Sequence, residues 1–310
     1  MNEPKKQHYV PRAYLKFFAW EKRKVWDVYV FDKKRKEAYR ADIRDVAFEN
    51  NFYTIERLGS KKYAWEEYYA KQVEPLIGKT FIKLIQNSTN VFAKNNQVVI
   101  DEKIRAGLSL IIITQLLPTP KARSLHYEIS SSFFPKALET IIKSMEPRIN
   151  SEQRDYLHNL KLDNVFKELE MGVITAPDRI KQFTKVIYDR CWLVYRNDDF
   201  ENNPFITSDH PVVEYNMVTS SSSLGENGIG NPQTIIHYPI NPQLMLAIYD
   251  RHNFLFQYLT DMDGRLVFLD KNELNYIIKV NKIQYEQCSQ HVYSKYPISA
   301  SSLNLQTPNL

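Results

Sequence analysis

The sequence predicts an α+β fold, in which a mainly antiparallel sheet from the N- and C-terminal thirds packs on a central helical block. Two observations predict this class. In the middle third, apolar residues recur every three to five positions, as on one face of a helix. In the outer thirds, short runs rich in β-branched and aromatic residues are bounded by turn-forming residues. We expect one domain over residues 1–299, divided into 1–60, 61–190 and 191–299, and a frayed tail at 300–310.

The first third begins with a segment that is too apolar for a free tail. Residues 1–18 start basic and polar but then carry five large apolar side chains, whereas untethered chain termini are polar. We therefore expect this N-terminal strap to be packed in the core. Its apolar side chains are those of Tyr9, Tyr14, Leu15, Phe17 and Phe18. Strands are then expected at 25–31, 37–40 and 52–55, with a basic turn at 32–36.

The middle third is expected to consist of helices. Apolar residues recur at helical spacing over 65–85, and Pro75 should start a new helix there or kink this one. Asp101 is a suitable N-cap for the next helix, which is apolar nearly all round and ends at Pro118. Further helices are expected at 131–145, 151–170 and 177–188.

The last third returns to the strand pattern and ends with one more helix. Strands are expected at 191–195, 205–207, 212–215, 234–238, 244–248 and 291–293. The helix is expected at 271–287. Residues 219–232 are rich in Ser, Gly and Asn and can bury little apolar surface to offset their ordering entropy. We expect them to form a mobile loop and, because they follow Asp209, a candidate lid.

Composition limits the classes of function. The chain has eight glycines, and no Gly-rich phosphate loop of the Walker or dinucleotide type occurs. Cys191 and Cys288 lack zinc-site spacing and are expected to be reduced and buried. The net charge of +5 permits nucleic-acid binding without implying it. No signal segment follows Met1 to Lys6 and no apolar run approaches about twenty residues, so we expect a cytoplasmic protein without a membrane partner.

The strap carries the first candidate site residues, His8 and Arg12. Pro11 favours a helix start, which would put Arg12 in the first turn. In the functional interpretation, His8 is a general base or a metal ligand, and Arg12 holds an anionic group. In the structural interpretation, His8 caps the helix or bonds backbone carbonyls, and Arg12 forms an ion pair. The spacing alone favours the structural interpretation.

A second candidate lies between two expected strands, at Thr207-Ser208-Asp209-His210-Pro211. His210 precedes proline and should be extended; if Asp209 is extended too, the two side chains point to opposite faces. One of them then faces the site and the other does not. The alternative is an Asx-turn, in which Ser208 and Asp209 bond nearby backbone amides, and the pattern alone favours this alternative.

Acidic candidates lie on the first long helix, at Glu66, Glu67 and Glu74. Glu67 and Glu74 are seven residues apart and share a face if Pro75 leaves the helix undisturbed. Lys71 lies between them and can pair with either, so a solvated charged stripe is the ordinary outcome. No nucleophile elbow and no His-Glu-x-x-His signature occurs, so neither Ser-His-Asp catalysis nor that type of zinc site is predicted.

Segments along nearly the whole chain resemble one family. They are His8-Tyr9-Val10-Pro11-Arg12 with Tyr14-Leu15-Lys16-Phe17-Phe18, Gln115-Leu116-Leu117-Pro118-Thr119-Pro120, Phe205-Ile206-Thr207-Ser208-Asp209-His210-Pro211-Val212, Tyr238-Pro239-Ile240-Asn241-Pro242, and Asn281 ahead of His291-Val292-Tyr293. From His8 to Tyr293 the chain resembles the family catalogued as domain of unknown function 4238. The family usually has Asn at position 210, Arg-Thr-Pro at 117–120 and an Arg near His291, so the chain departs from the pattern there.

The resemblance implies a shared fold and site but no particular activity. It favours Asp209 over His210, because the first position is acidic in the family. It also adds Gln115 and Asn281, which lie in family segments, as amides that orient a substrate.

We therefore predict an enzyme that acts on a phosphodiester or another phosphorylated ligand, nuclease-like and of the kind found in defence systems or toxins. His8 and Asp209 are the expected catalytic residues, and Arg12, Gln115 and Asn281 the expected substrate-binding residues. His8, Arg12 and Asp209 are expected to line one pocket. A divalent metal is a candidate cofactor and nucleic acid a candidate partner. The alternative is a non-enzymatic binding module in which the same polar residues form a structural network.

Overall fold

The computed structural model of the protein describes residues 6–54, 62–145, 148–158, 172, 176–223, 226–270, 273–298 and 303. The predicted α+β class is confirmed. The helices are α1 (Arg12–Leu15), α2 (Ala64–Tyr68), α3 (Glu74–Thr89), α4 (Glu102–Leu116), α5 (Pro120–Met145), α6 (Ser151–His158), α7 (Pro177–Tyr188) and α8 (Leu274–Gln287). Shorter helical segments are the 3₁₀ turns Lys16–Phe18, Ile43–Asp45 and Gln257–Met262, and the π-helical turn Tyr69–Val73.

The strands build antiparallel sheets with one parallel pair. They are β1 (Lys6–His8), β2 (Trp20–Lys22), β3 (Val25–Asp32), β4 (Glu37–Asp42), β5 (Phe48–Asn50), β6 (Cys191–Asn197), β7 (Thr207–Ser208), β8 (Val213–Asn216), β9 (Thr234–Pro239), β10 (Leu244–Tyr249), β11 (Arg265–Leu269) and β12 (His291–Ser294). One sheet has the order β11-β6-β10-β9-β8, and its β11–β6 pair is parallel. In the other large sheet, β3 has β4 on one side and β2 and β12 on the other, with β7 beyond β12. β1 pairs with β5.

The N- and C-terminal thirds share a sheet, as the fold prediction requires. Val292 of β12 pairs with Phe31 of β3 on one side and with Ser208 of β7 on the other. The helices between these two thirds of the chain pack in the core, and α4 is buried on most of its circumference. As predicted, Asp101 is the N-cap of α4, and its side chain accepts a hydrogen bond from the Ile104 N–H at 2.8 Å. The middle third therefore supplies a layer of core helices.

Several expected elements have different bounds, and three of them are informative. Phe52 and Tyr53, from the strand expected at 52–55, belong to a turn, and the neighbouring strand is β5. The side chains of Phe52 and Tyr53 are both buried, so the alternation of a half-exposed strand is absent. The helix expected at 131–145 starts earlier, at Pro120, because proline suits a first helical turn. Phe205 and Ile206 precede the short strand β7. Residues 159–171, and the expected tail at 300–310 except residue 303, lie outside the described residues.

The strap is buried, as predicted. The Tyr14 hydroxyl lies 2.7 Å from Thr207 Oγ1 and donates to the Pro239 carbonyl at 2.8 Å. The Tyr14 ring stacks on Tyr238, with centroids 5.3 Å apart. The Gln115 side-chain amide donates to the Tyr238 hydroxyl. Four of the segments that carry the family resemblance are thus joined by one network of buried contacts around Tyr14 and Tyr238.

Over the described residues, none of the helices combines the length and the apolar character that a membrane crossing requires.

Candidate functional site

The strap forms one wall of an open pocket of about 480 Å³. The helix that runs from α2 through the π-turn into α3, and the 3₁₀ turn Ile43–Asp45, contribute the other lining residues. The lining residues are Lys6, His8, Arg12, Arg44, Asp45, Glu66, Tyr69, Ala70 and Glu74. The structure therefore brings two predicted site residues, His8 and Arg12, together with two of the candidate carboxylates.

His8 is held as a neutral ring. Burial and the charge of Arg12 lower its pKa to about 4, although the backbone carbonyls of Ile43 and Arg44 accept hydrogen bonds from the ring and favour its protonated form. The His8 ring packs on Phe48, with centroids 5.6 Å apart. Its Nε2 atom is buried and has no hydrogen-bond partner among the described residues. A neutral ring with its Nδ1 side on carbonyls leaves Nε2 as an acceptor beside the pocket.

The π-turn determines which carboxylates face the pocket. Glu66 and Glu74 are eight residues apart, which in a regular α-helix is about 80° out of phase. The turn Tyr69–Val73 inserts roughly one extra residue, and the Glu74 N–H bonds back five residues to the Tyr69 carbonyl. The effective spacing then becomes seven residues, or two helical turns. Glu66 and Glu74 consequently share the face that lines the pocket.

Glu67, the partner expected for Glu74, points elsewhere. It forms an exposed ion pair with Lys71, with 2.9 Å between Lys71 Nζ and Glu67 Oε2. The seven-residue spacing of Glu67 and Glu74 assumed an uninterrupted α-helix, and the π-turn breaks that assumption. Pro75 is the residue in the sequence that indicates this interruption of the helix, because a proline has no N–H for the regular hydrogen bond and its ring clashes with the carbonyl four residues earlier.

The two pocket carboxylates differ in their surroundings. Burial, and then the charge of Glu74, raise the pKa of Glu66 to about 7. Burial also raises the pKa of Glu74, but the charge and the backbone N–H of Arg12 favour its ionised form. Arg12 opposes the shift of Glu66 as well. At neutral pH the pair is therefore partly protonated, with the proton favoured on Glu66.

Two of the three cations at the pocket have carboxylate partners. Lys6 Nζ lies 2.9 Å from Asp45 Oδ1, and Arg44 Nη2 lies 2.6 Å from Asp42 Oδ2. Arg12 is exposed at the start of α1, where it acts electrostatically on both pocket glutamates. Arg12 is thus the cation best placed to meet an anionic group of a ligand.

Asp209 does not line this pocket, and the expectation that it joins His8 and Arg12 there is corrected. Its side chain is buried, and its two oxygens accept backbone N–H groups of Ser289 at 2.7 Å, Gln290 at 2.7 Å and His291 at 2.8 Å. Burial raises the pKa of Asp209, while the three donors favour the carboxylate. The amides come from the turn before β12, about eighty residues away in sequence. Asp209 therefore has a structural role, in which it caps a turn that is distant in sequence and not the local Asx-turn of the alternative prediction.

The other predicted residues also have structural partners. Gln115 is fully buried against Tyr238. Asn281 clamps the segment before β7, since its Oδ1 accepts from the Ile206 N–H at 3.2 Å and its Nδ2 donates to the Pro204 carbonyl at 2.8 Å. Neither residue lies at the His8 pocket.

His210 and the serine-rich loop lie away from the pocket as well. The buried His210 ring contacts Thr119 Oγ1 through Nδ1 at 2.7 Å, and burial lowers its pKa to about 3. Residues 220–223 of the expected lid line a different cavity, beside Lys121 and Glu286. The loop carbonyls of Ile229 and Asn231 accept hydrogen bonds from Arg190. The described part of this loop is thus no lid for the His8 pocket.

No metal ligand set accompanies the pocket. In the parts of the chain that the structure describes, no group of three or more His, Cys, Asp and Glu side chains is arranged to hold a metal ion. The divalent metal expected from the sequence stays a prediction.

The fold and the pocket together define an α+β protein whose N-terminal strap carries a His and an Arg to a pair of partly buried glutamates. The family described as a protein of unknown function, DUF4238, matches residues 6–296. The chain therefore belongs to this family, as the resemblance of its segments predicts. No curated protein and no solved structure matches the chain.

Proposed function

We propose that the protein is a hydrolase acting on a phosphodiester or another phosphorylated ligand, and that the His8 pocket is its active site. The observation that carries the proposal is the pairing of Glu66 and Glu74 in one pocket, next to Arg12, whose backbone N–H bonds Glu74. Two carboxylates whose surroundings favour different protonation states are the usual basis of general acid–base catalysis. A pKa near 7, as for Glu66, suits a group that gives or takes a proton at neutral pH.

The roles follow from the protonation states. Glu74, held as a carboxylate by Arg12, takes a proton from the attacking water as its oxygen bonds to phosphorus. Glu66, protonated, gives its proton to the leaving oxygen as the phosphorus–oxygen bond breaks. Arg12 offers planar donors to the non-bridging phosphate oxygens, a geometry that guanidinium groups suit. The reaction consumes one water, and the proton returns from Glu74 to Glu66 through solvent.

His8 has a binding role in this scheme. With a pKa of about 4 it is neutral at pH 7 and does not serve as an acid there. Its Nε2 is buried and has no partner among the described residues, so it accepts a hydrogen bond only from a ligand hydroxyl or a water that enters beside the ring. This differs from the catalytic role expected for His8 together with Asp209.

The alternative, a binding module without catalysis, is supported by the structural partners of the other polar residues. Gln7, next to His8, is fully buried; its Nε2 donates to Thr54 Oγ1 at 2.9 Å and its Oε1 accepts from the Tyr53 N–H. Asp209 and Asn281 likewise bond backbone groups. A network of this kind fixes the strap, and the pocket then only binds an anion.

Hydrolysis assays with a fluorogenic phosphodiester and a quenched single-stranded RNA, each with EDTA or with Mg²⁺ and Mn²⁺, distinguish the two. We expect turnover that Glu66→Gln and Glu74→Gln each lower by about 10²–10⁴-fold, the usual contribution of general acid–base catalysis. Glu67→Gln, one residue away on the exposed face, is the matched control and should retain full activity. Absence of turnover under every condition would leave the binding module as the function, whereas turnover that Glu66→Gln does not lower would contradict the assignment of the His8 pocket as the active site.

A further inference from the structure

A sheet surface of mixed aromatic and basic character lies on β2, β3 and β4. The registers Trp20↔Asp27 and Tyr29↔Arg40 put these four side chains on one face of the sheet, since directly opposite residues share a face. We call Trp20, Asp27, Tyr29 and Arg40 the Arg40 face. None of the four lines the His8 pocket.

The Arg40 guanidinium is fixed in place and still open to solvent. Its carbon lies 4.8 Å from the centre of the Trp20 ring and 5.7 Å from that of Tyr29, and the two rings are 5.0 Å apart. Arg40 Nη2 is 3.8 Å from Asp27 Oδ2, and the Arg40 side chain is 53% exposed. Aromatic contacts on one side and a carboxylate at the edge pre-order a planar cation. Its outer surface is available for a second planar group.

Basic turns flank this surface. The hairpin turns at both ends of β3 carry exposed cations, namely Lys22, Arg23 and Lys24 at one end and Lys34, Arg35 and Lys36 at the other. Residues 20–42 contain eight Lys and Arg and five Asp and Glu, which gives this segment a net charge of +3, against +5 for the whole chain. Of those carboxylates, Asp32 is buried and bonded to the backbone N–H groups of Lys34 and Arg35, so it is not displayed on the surface.

The surface is continuous with the pocket along the chain. From Arg40, β4 continues to its last residue, Asp42, and passes directly into the turn that carries Arg44, a pocket residue. Arg44 is bonded to Asp42, at 2.6 Å between Arg44 Nη2 and Asp42 Oδ2. Four residues of extended chain span at most about 13 Å. A flexible polymer lying on Arg40 can therefore reach the pocket.

We propose that the Arg40 face binds single-stranded nucleic acid, with a base stacked on the Arg40 guanidinium and neighbouring phosphates on the basic turns. A planar cation over aromatic rings presents a surface for an unpaired base, whereas a duplex hides its base faces. The binding itself stands on these contacts alone; the delivery of a phosphodiester to Glu66 and Glu74 rests on the proposed function.

Fluorescence anisotropy with a labelled 12-nucleotide RNA and its blunt duplex tests this binding. All proteins carry Glu66→Gln, so that the strand stays intact whether or not the pocket is catalytic. We expect the single strand to bind more tightly than the duplex, and Arg40→Ala to weaken it about tenfold, within the range of a lost base stack. Arg40→Lys keeps the charge but loses the plane and should weaken binding nearly as much.

Arg179→Ala is the matched control, because it removes an exposed arginine at the start of α7. It should change the dissociation constant less than twofold. The proposal would be overturned by equal affinity for the duplex, by full affinity of Arg40→Lys, or by an effect of Arg40→Ala no larger than that of Arg179→Ala. Absence of binding, or an affinity for the single strand that does not fall as the salt concentration rises, would overturn it as well, because phosphate contacts impose that dependence. Binding that depends on Arg40, together with no hydrolysis by the protein that retains Glu66, would refute the proposed function and leave this inference standing.

Discussion

The hydroxyl of Tyr69 donates a hydrogen bond to the backbone carbonyl of Thr114, and this contact ties the π-turn to α4. The carbonyl is available because its regular helical donor would be residue 118, which is a proline without an N–H. Pro118 thus ends α4 and leaves an acceptor that Tyr69 satisfies. Through this contact, the segment Gln115–Pro120 supports the helix that carries Glu66 and Glu74, although none of its residues lies at the pocket.

Replacing Tyr69 with Phe keeps the ring and removes this bond. We expect a loss of about 1–3 kcal/mol in the free energy of unfolding, because the buried carbonyl loses its partner. Urea denaturation measures it. Tyr68→Phe is the matched control, since burial alone raises the pKa of Tyr68 and none of its described neighbours bonds its hydroxyl. Equal stability of the two variants would contradict the role assigned to Tyr69.

The strap is expected to be indispensable to the fold. Tyr14, Leu15 and Phe18 are fully buried, and each such side chain contributes about 1.5–3 kcal/mol. Deletion of residues 1–18 should therefore give aggregated or unfolded protein, as judged by size-exclusion chromatography and circular dichroism. Deletion of residues 304–310 is the control and should leave both measurements unchanged. A truncated strap variant that melts cooperatively would contradict the prediction.

The elements were predictable where local pattern decides them, and the pocket only in part, since His8 and Arg12 line it but Asp209, Gln115 and Asn281 do not. Pro177 in a first turn followed by periodic apolar residues predicted α7 at its observed bounds. Glu66 was among the acidic candidates, but the face shared with Glu74 was assigned to Glu67, because one inserted residue changes the helical phase. That insertion depends on how Tyr69 contacts α4. Asp209 was misplaced because its three donors come from a turn that only the tertiary fold brings near.

Asp209 should prove structural when its charge is removed. Asp209→Asn replaces one acceptor oxygen by an NH₂ group that faces a backbone N–H. We expect a loss of about 1–3 kcal/mol in stability, with ligand binding in the pocket unchanged. Thermal melting and a binding titration with inorganic phosphate make the two measurements. Asp261→Asn, at an exposed position, is the control; a loss of phosphate binding at unchanged stability would restore Asp209 to the site.

The buried histidine His210 should make the protein sensitive to acid. Its pKa is about 3 in the folded protein and about 6.5 when unfolded, so between these values the unfolded chain binds the additional proton. Stability is then fully present above pH 6.5 and falls as the pH is lowered towards 3. His210→Asn removes this titration, and its melting temperature should fall less steeply between pH 7 and pH 5. Parallel melting curves for the two proteins would show that His210 titrates normally.

Glu66 should contribute a pH dependence of the opposite sign. Its pKa is about 7 in the folded protein against 4.5 for the free side chain, so between these values the folded protein binds the additional proton. Stability from this group therefore falls as the pH rises from 4.5 to 7. The melting temperature of Glu66→Gln should therefore rise relative to that of the wild type as the pH increases across this interval, with little difference near pH 4.

Because this measurement needs no substrate, it tests the shared pocket of Glu66 and Glu74 apart from catalysis. Glu67→Gln, at an exposed position, is the control and should follow the wild type at every pH. A wild type and a Glu66→Gln variant that melt in parallel would mean that Glu66 is solvated and ionised, and the acid–base assignment in the pocket would fall with it.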